Sequence, residues 1–69
     1  MEVEVYASDP FTAKKEGLLA TFSSDYRFQK GDELYIHQGG SRPLKVRVID
    51  VRVHVRDGGL ASELLALKL

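Results

Sequence analysis

The segment Leu44–Arg56 constrains the fold of this chain most strongly, because it reads LKVRVIDVRVHVR. Apolar, mostly β-branched residues alternate there with basic ones, and a period of two indicates a β-strand with one buried and one solvent-exposed face. The exposed face is expected to carry Lys45, Arg47, Arg52, His54 and Arg56, with Asp50 as its one acid. We therefore predict one long strand that organises a mostly β fold.

The alternation changes phase in the middle of this strand. A regular strand would place Leu44, Val46 and Val48 on one face and Ile49, Val51, Val53 and Val55 on the other. A β-bulge or sharp bend between Val48 and Ile49 would restore the register and keep the apolar residues on the core side. The alternative is a flat strand that buries one face in its own domain and the other against a partner. We favour the bend, because long bent strands are how small β-barrels close.

The first half of the chain predicts shorter strands. Val3 and Val5 alternate with polar residues, the run 18–22 is mostly apolar between turn residues, and Leu34 and Ile36 begin a third strand.

A short helical turn is predicted over residues 10–16. The Asp9-Pro10 pair is a good helix start, because the aspartate can accept amide hydrogens and proline tolerates the first helical position. Gly17 would end the helix. An irregular loop is the alternative.

The terminal segment 60–69 follows a hairpin-type turn at Asp57-Gly58-Gly59. Its leucine, alanine, glutamate and lysine favour a helix. The edge of the long strand, however, needs a partner strand. We predict a strand here, with a terminal helix as the alternative.

The length of 69 residues predicts a single domain spanning residues 1–69. The chain has no cysteine, which excludes disulfides and thiolate metal sites, and only two histidines, so we expect no metal. Small chains without such links often complete their core by association, so a homodimer or larger assembly is a hypothesis.

Ten basic and ten acidic residues cancel, which weakens the case for a nucleic-acid binder. The start of the chain, MEVEVYA, lacks the features of a signal peptide. No apolar run approaches the length of a membrane span. We expect a cytoplasmic protein that does not enter membranes.

The expected fold class is all-β: a small five-stranded, partly open barrel or a strongly bent antiparallel sheet. The segment 28–36 reads FQKGDELYI, and a glycine turn and the valine-rich strand follow. This order resembles the middle of SH3-like and related small barrels. The chain departs from the KOW-type nucleic-acid-binding version, because Ser41-Arg42-Pro43 replaces the second glycine-containing turn expected there. A fold-level resemblance of this kind implies no function.

The basic face of the long strand is a candidate partner surface. Same-face residues on a strand stand about 6.6 Å apart, so Arg52, His54 and Arg56 would line up over about 13 Å. Such a row suits phosphates or an acidic protein. The plainer interpretation is a solvated face whose charges pair across strands with Glu2, Glu4 or Glu63.

Leucines near the end of the chain are candidates for self-association. They are Leu60, Leu64, Leu65, Leu67 and Leu69. This segment either completes the barrel or docks on a second copy.

Catalytic patterns are weak in this sequence. Ser41 lies near His37 without a visible orienting acid or oxyanion site, and neither glycine pair is followed by the lysine of a phosphate-binding loop. We expect no enzyme and no cofactor. The sequence predicts a non-catalytic interaction or assembly module, with a nucleic-acid-binding barrel that uses Lys45, Arg47, Arg52 and Arg56 as the alternative.

Overall fold

The computed structural model describes residues 1–40 and 42–69, which form five β-strands. The strands are β1 (Glu2–Ser8), β2 (Lys15–Ser23), β3 (Glu33–Ile36), β4 (Leu44–Arg56) and β5 (Gly59–Lys68). Within these described ranges the chain contains no helix, and therefore none that could cross a membrane. The predicted all-β class is confirmed.

The five strands form one mixed sheet in the order β2-β1-β5-β4-β3. The central pair, β1 and β5, is parallel, and every other pair is antiparallel. The sheet curls strongly into a half-barrel, and its edge strands β2 and β3 are not paired with each other. This is the partly open barrel that the sequence predicts.

The predicted irregularity in β4 is a β-bulge at Ile49. Val48 pairs with Ala66 and Asp50 pairs with Leu65, so Ile49 is the extra residue between two consecutive pairs. Because the bulge shifts the phase by one residue, Val46 and Val48 before it share a face with Val51 after it. The bend is confirmed, and the flat strand is not observed.

The core lies on the inner, concave side of this sheet. Six buried residues form it, namely Val3, Val5, Val46, Val48, Leu64 and Ala66. Phe28 packs over them from the segment 24–32, which is fastened to β4 by hydrogen bonds between Gly31 N and Val48 O and between Val48 N and Asp32 O, both 2.8 Å. The half-barrel is therefore closed over part of its inner face by a loop.

The predicted helical turn at residues 10–16 is wrong. Asp9 Oδ1 accepts hydrogen bonds from the amides of Phe11 (2.8 Å) and Thr12 (3.0 Å), as expected of a helix start. The chain then reverses, because Asp9 N donates to Lys14 O at 3.0 Å, and β2 begins at Lys15. The same aspartate geometry serves a hairpin loop here. The terminal segment is a strand, β5, as predicted.

Deleting Ile49 is expected to leave a folded sheet, because the deletion removes the bulge and keeps all the β4 valines on the inner face. Loss of the bend and of a half-buried side chain should reduce the free energy of unfolding by about 1–3 kcal/mol. Urea denaturation followed by circular dichroism measures this change.

Deletion of Val51 is the matched control. It keeps the bulge but turns Arg52 inward against Leu64, so its unfolding midpoint should fall further than that of the Ile49 deletion. Equal losses in both variants would contradict the assigned role of the bulge.

Candidate functional site

The basic residues of β4 lie together on the outer face of the sheet. Register pairs place Arg47 beside Leu67, Arg52 beside Glu63 and His54 beside Ala61. The bulge brings Arg47, which precedes it, and Arg52, which follows it, to the same side. The predicted basic stripe, Lys45, Arg47, Arg52, His54 and Arg56, is therefore one surface.

Glu33 on β3 offsets part of the positive charge at the start of this stripe. Its carboxylate lies 2.7 Å from Arg47 Nη2 and 3.4 Å from Lys45 Nζ. The hydrogen bond from Arg47 and the charge of Lys45 lower the pKa of Glu33, and the charge of Glu33 raises the pKa of Lys45. Both cations thus have an acidic partner within the molecule.

Glu63 on β5 occupies the centre of the outer face and is only 5% exposed. Lys15 Nζ donates to its Oε2 at 2.9 Å, Arg52 Nη1 lies 3.7 Å from Oε1, and His54 Nε2 lies 3.8 Å from Oε2. Arg52 is also bound to Asp50 at 3.0 Å. These groups connect β2, β5 and β4 across the sheet, because Lys15 reaches over β1.

The pKa of Glu63 shows which effect dominates in this cluster. Burial disfavours a charged carboxylate and by itself would raise its pKa. The hydrogen bond from Lys15 outweighs burial, so the pKa of Glu63 is lowered and that of Lys15 is raised. Lys15 Nζ also lies 4.5 Å from the centre of the Tyr6 ring, which adds a cation–π contact. The cluster therefore stabilises the ionised form of Glu63.

Ion pairing leaves little free positive charge on the stripe. Within residues 1–40 and 42–69, Arg56 is the one arginine of the stripe without a carboxylate in ion-pair distance. Cross-strand pairing was expected with Glu2, Glu4 or Glu63, and the structure pairs the stripe with Glu63 and with Glu33. The geometry therefore favours the interpretation of a solvated, internally neutralised face.

The candidate leucines fall into two groups. Leu64 and Leu65 are completely buried within this chain, and Leu67 is half-buried. Leu60 and Leu69 are exposed. The terminal strand thus completes the half-barrel with its middle residues, and the two exposed leucines lie near its start and directly after its end.

An apolar surface that the sequence analysis did not single out lies at the free end of the β4–β5 hairpin. Exposure along the inner side of β4 rises from 1% at Val48 to 58% at Val53 and 83% at Val55, and Leu60, the register partner of Val55, is 50% exposed. The cause is strand length, because β3 pairs with β4 only from Leu44 to Arg47 and β1 pairs with β5 only from Ala61 onward. We call Val53, Val55 and Leu60 the hairpin patch.

A recess of about 390 Å³ adjoins the hairpin patch. Its apolar walls come from Met1, Tyr26, Phe28, Val51, Val53 and Leu60. The rings of Tyr26 and Phe28 meet edge to face with centres 4.7 Å apart, and Tyr26 Oη bonds Asp32 Oδ2 at 3.3 Å. An aromatic pair therefore forms one wall, and the valines of β4 form the other.

The sequence carried a partial signal for this surface. Val53 and Val55 continue the inward row, so periodicity alone assigns them to the core. Their exposure follows from the shorter neighbouring strands, which only the topology reveals. His37 is exposed, and Ser41, considered beside it for nucleophilic chemistry, lies outside the described residues.

Comparisons with known protein families, with curated proteins and with solved structures find no match to this chain. The resemblance to SH3-like barrels therefore stays a prediction, and the candidate surfaces stand on their own geometry.

Replacing Glu63 by Gln is expected to destabilise the fold at neutral pH by about 1–2 kcal/mol, because a charge-assisted hydrogen bond is lost. Since the folded-state pKa of Glu63 is lowered, its contribution is present above the ordinary glutamate pKa. It is lost as the pH falls through the folded value. The stability difference between wild type and E63Q should therefore shrink below about pH 4. Urea denaturation at several pH values measures it.

Glu33→Gln is the matched control, since the ion pairs of Glu33 are exposed to solvent and screened. Its effect should be smaller than that of E63Q and should fall with added salt. An E63Q effect that persists unchanged at low pH would contradict the role given to the ionised carboxylate.

Proposed function

We propose that this protein is a non-catalytic assembly module that self-associates through the hairpin patch and the adjoining recess. The observation that supports this most directly is the uncovered inner side of the β4–β5 hairpin, where three large apolar side chains lie together in solvent. Contiguous exposed apolar surface beside a recess is typical of protein interaction sites.

Burial of the exposed side chains would favour a contact. Fully burying a valine or leucine side chain stabilises by about 1.5–3 kcal/mol. The hairpin patch is already extended and paired between two strands, so little chain ordering opposes its docking. A partner that covers Val53, Val55 and Leu60 would therefore gain free energy from each of them.

A second copy of this chain is the partner that the composition favours. The charges of the chain balance, so copies do not repel one another through net charge. Nine hydrophobic residues are buried among those the structure describes. The central cluster contains six of them, namely four valines, one leucine and one alanine, so the core has few large side chains. Association would extend this core by covering the open side of the half-barrel.

The nucleic-acid alternative receives less support from the arrangement of charges. Phosphate binding needs cations that are free to replace counterions. Lys45, Arg47 and Arg52 instead lie against Glu33, Asp50 and Glu63. The side of the sheet opposite the hairpin patch is therefore better suited to stabilising the fold than to binding a polyanion.

Changing Val53 and Val55 together to Thr is expected to abolish self-association without unfolding the chain, because threonine keeps the β-branched shape and removes apolar surface. We call V53T/V55T the hairpin variant. If the two valines are covered in the assembly, the dissociation constant should rise by roughly tenfold or more. Sedimentation velocity over a concentration series measures the change.

Leu18→Thr on β2 is the matched control, because Leu18 is an exposed apolar residue outside the hairpin patch and the recess. This variant should associate as the wild type does. A wild-type chain that stays monomeric at millimolar concentration would overturn the proposal. Oligonucleotide binding at low salt that Ala substitutions at Lys45, Arg47, Arg52 and Arg56 abolish would favour the nucleic-acid hypothesis instead.

A further inference from the structure

Phe11 is the most exposed large apolar residue of the described chain, at 94%, and it stands on a well-fastened loop between β1 and β2. Asp9 Oδ1 binds the amides of Phe11 and Thr12, and Asp9 O accepts from Ala13 N at 3.0 Å. Ala13 adopts a left-handed φ of 57°, which costs free energy for a residue other than glycine. These hydrogen bonds fix the loop backbone, from which the Phe11 ring projects into solvent.

An exposed aromatic ring on a hydrogen-bonded loop is suited to act as an anchor. Aromatic side chains contribute large contact area, and a fixed loop loses little conformational freedom when the ring docks. Pro10 restricts the loop further at the residue before Phe11. We call this loop, residues 9–14, the Phe11 loop.

The Phe11 loop and the recess lie at opposite ends of the same sheet. Strand β1 begins beside Met1, which lines the recess, and ends at Ser8, directly before the Phe11 loop. Seven strand residues separate the two ends by about 20 Å. A chain therefore cannot place Phe11 in its own recess, whereas a second chain can.

The size of the recess suits this ring. An apolar cavity of about 150 Å³ accommodates a benzene molecule. The recess measures about 390 Å³ and presents Tyr26 and Phe28 on one wall, so an entering phenyl ring meets aromatic as well as aliphatic neighbours.

We propose that the chain assembles head to tail, with Phe11 of one copy seated in the recess of the next. This inference rests on the proposed function and specifies which surfaces of the two copies meet. The contact is heterologous, since different surfaces of the two copies meet, and it therefore produces rings or open filaments. The hairpin patch frames the receiving end, and the Phe11 loop forms the inserting end.

Replacing Phe11 by Ala is expected to weaken association by about ten- to hundredfold, the value of one buried aromatic side chain. The variant should fold normally, because the ring contacts solvent, and an unchanged urea midpoint checks this. Sedimentation velocity of F11A and of the hairpin variant, each alone, should show monomers.

Mixing the two variants is the decisive experiment. F11A retains an intact recess, and the hairpin variant retains an intact Phe11 loop, so an equimolar mixture should form a one-to-one dimer and stop there. Wild type should continue to larger species. Fluorescence anisotropy of labelled F11A titrated with the hairpin variant measures the contact, with Leu18→Thr as the control that behaves as wild type.

Each other outcome overturns the inference in a recognisable way. Association of F11A equal to wild type, with loss in the hairpin variant, would leave the proposed function in place and remove the role of Phe11. Two monomeric variants that fail to combine would exclude the head-to-tail contact. A monomeric wild type would remove the proposed function itself.

Discussion

The parallel pairing of β1 with β5 is the interaction on which this structure depends. It joins the first and last strands of the chain, and it brings Val5 beside Leu64, both completely buried. Strand β1 also belongs to the β1–β2 hairpin, and β5 also belongs to the β3–β4–β5 meander, so this pairing joins the two units. Neither part has enough apolar surface to form a core alone, so this non-local contact, made at the largest sequence separation available, creates the core.

The bulge at Ile49 gives the long strand two consistent faces. One extra residue places the valines on the core side along the whole strand and gathers the basic residues on the outer side. The outer side then becomes a network around Glu33 and Glu63, in which acids from neighbouring strands neutralise the stripe. A face that reads as basic in sequence is therefore nearly balanced in space.

Unequal strand lengths determine where the molecule is incomplete. The β4–β5 hairpin extends past both β1 and β3 and leaves an apolar patch at one end, and the β1–β2 connection presents Phe11 at the other. The parallel arrangement of β1 and β5 keeps these ends apart. A sheet built in this way has two unlike ends, which is the physical basis of the contact that we propose.

The sequence by itself indicated the first four strands, the turns and the bulge, because alternation, glycine position and a phase change are local properties of the chain. The strand over residues 60–69 was predicted from the need to pair the edge of the long strand, although its composition favours a helix. It misassigned residues 10–16, since an aspartate that binds two amides begins a hairpin loop as readily as a helix. It could identify the basic stripe but not its partners, because the neighbour of Arg47 is set by the register with β3. Only the tertiary structure decided that Val53 and Val55 stand uncovered and that Leu64 and Leu65 are enclosed. Burial depends on which strands lie alongside and how far they reach, and that information is absent from any single segment.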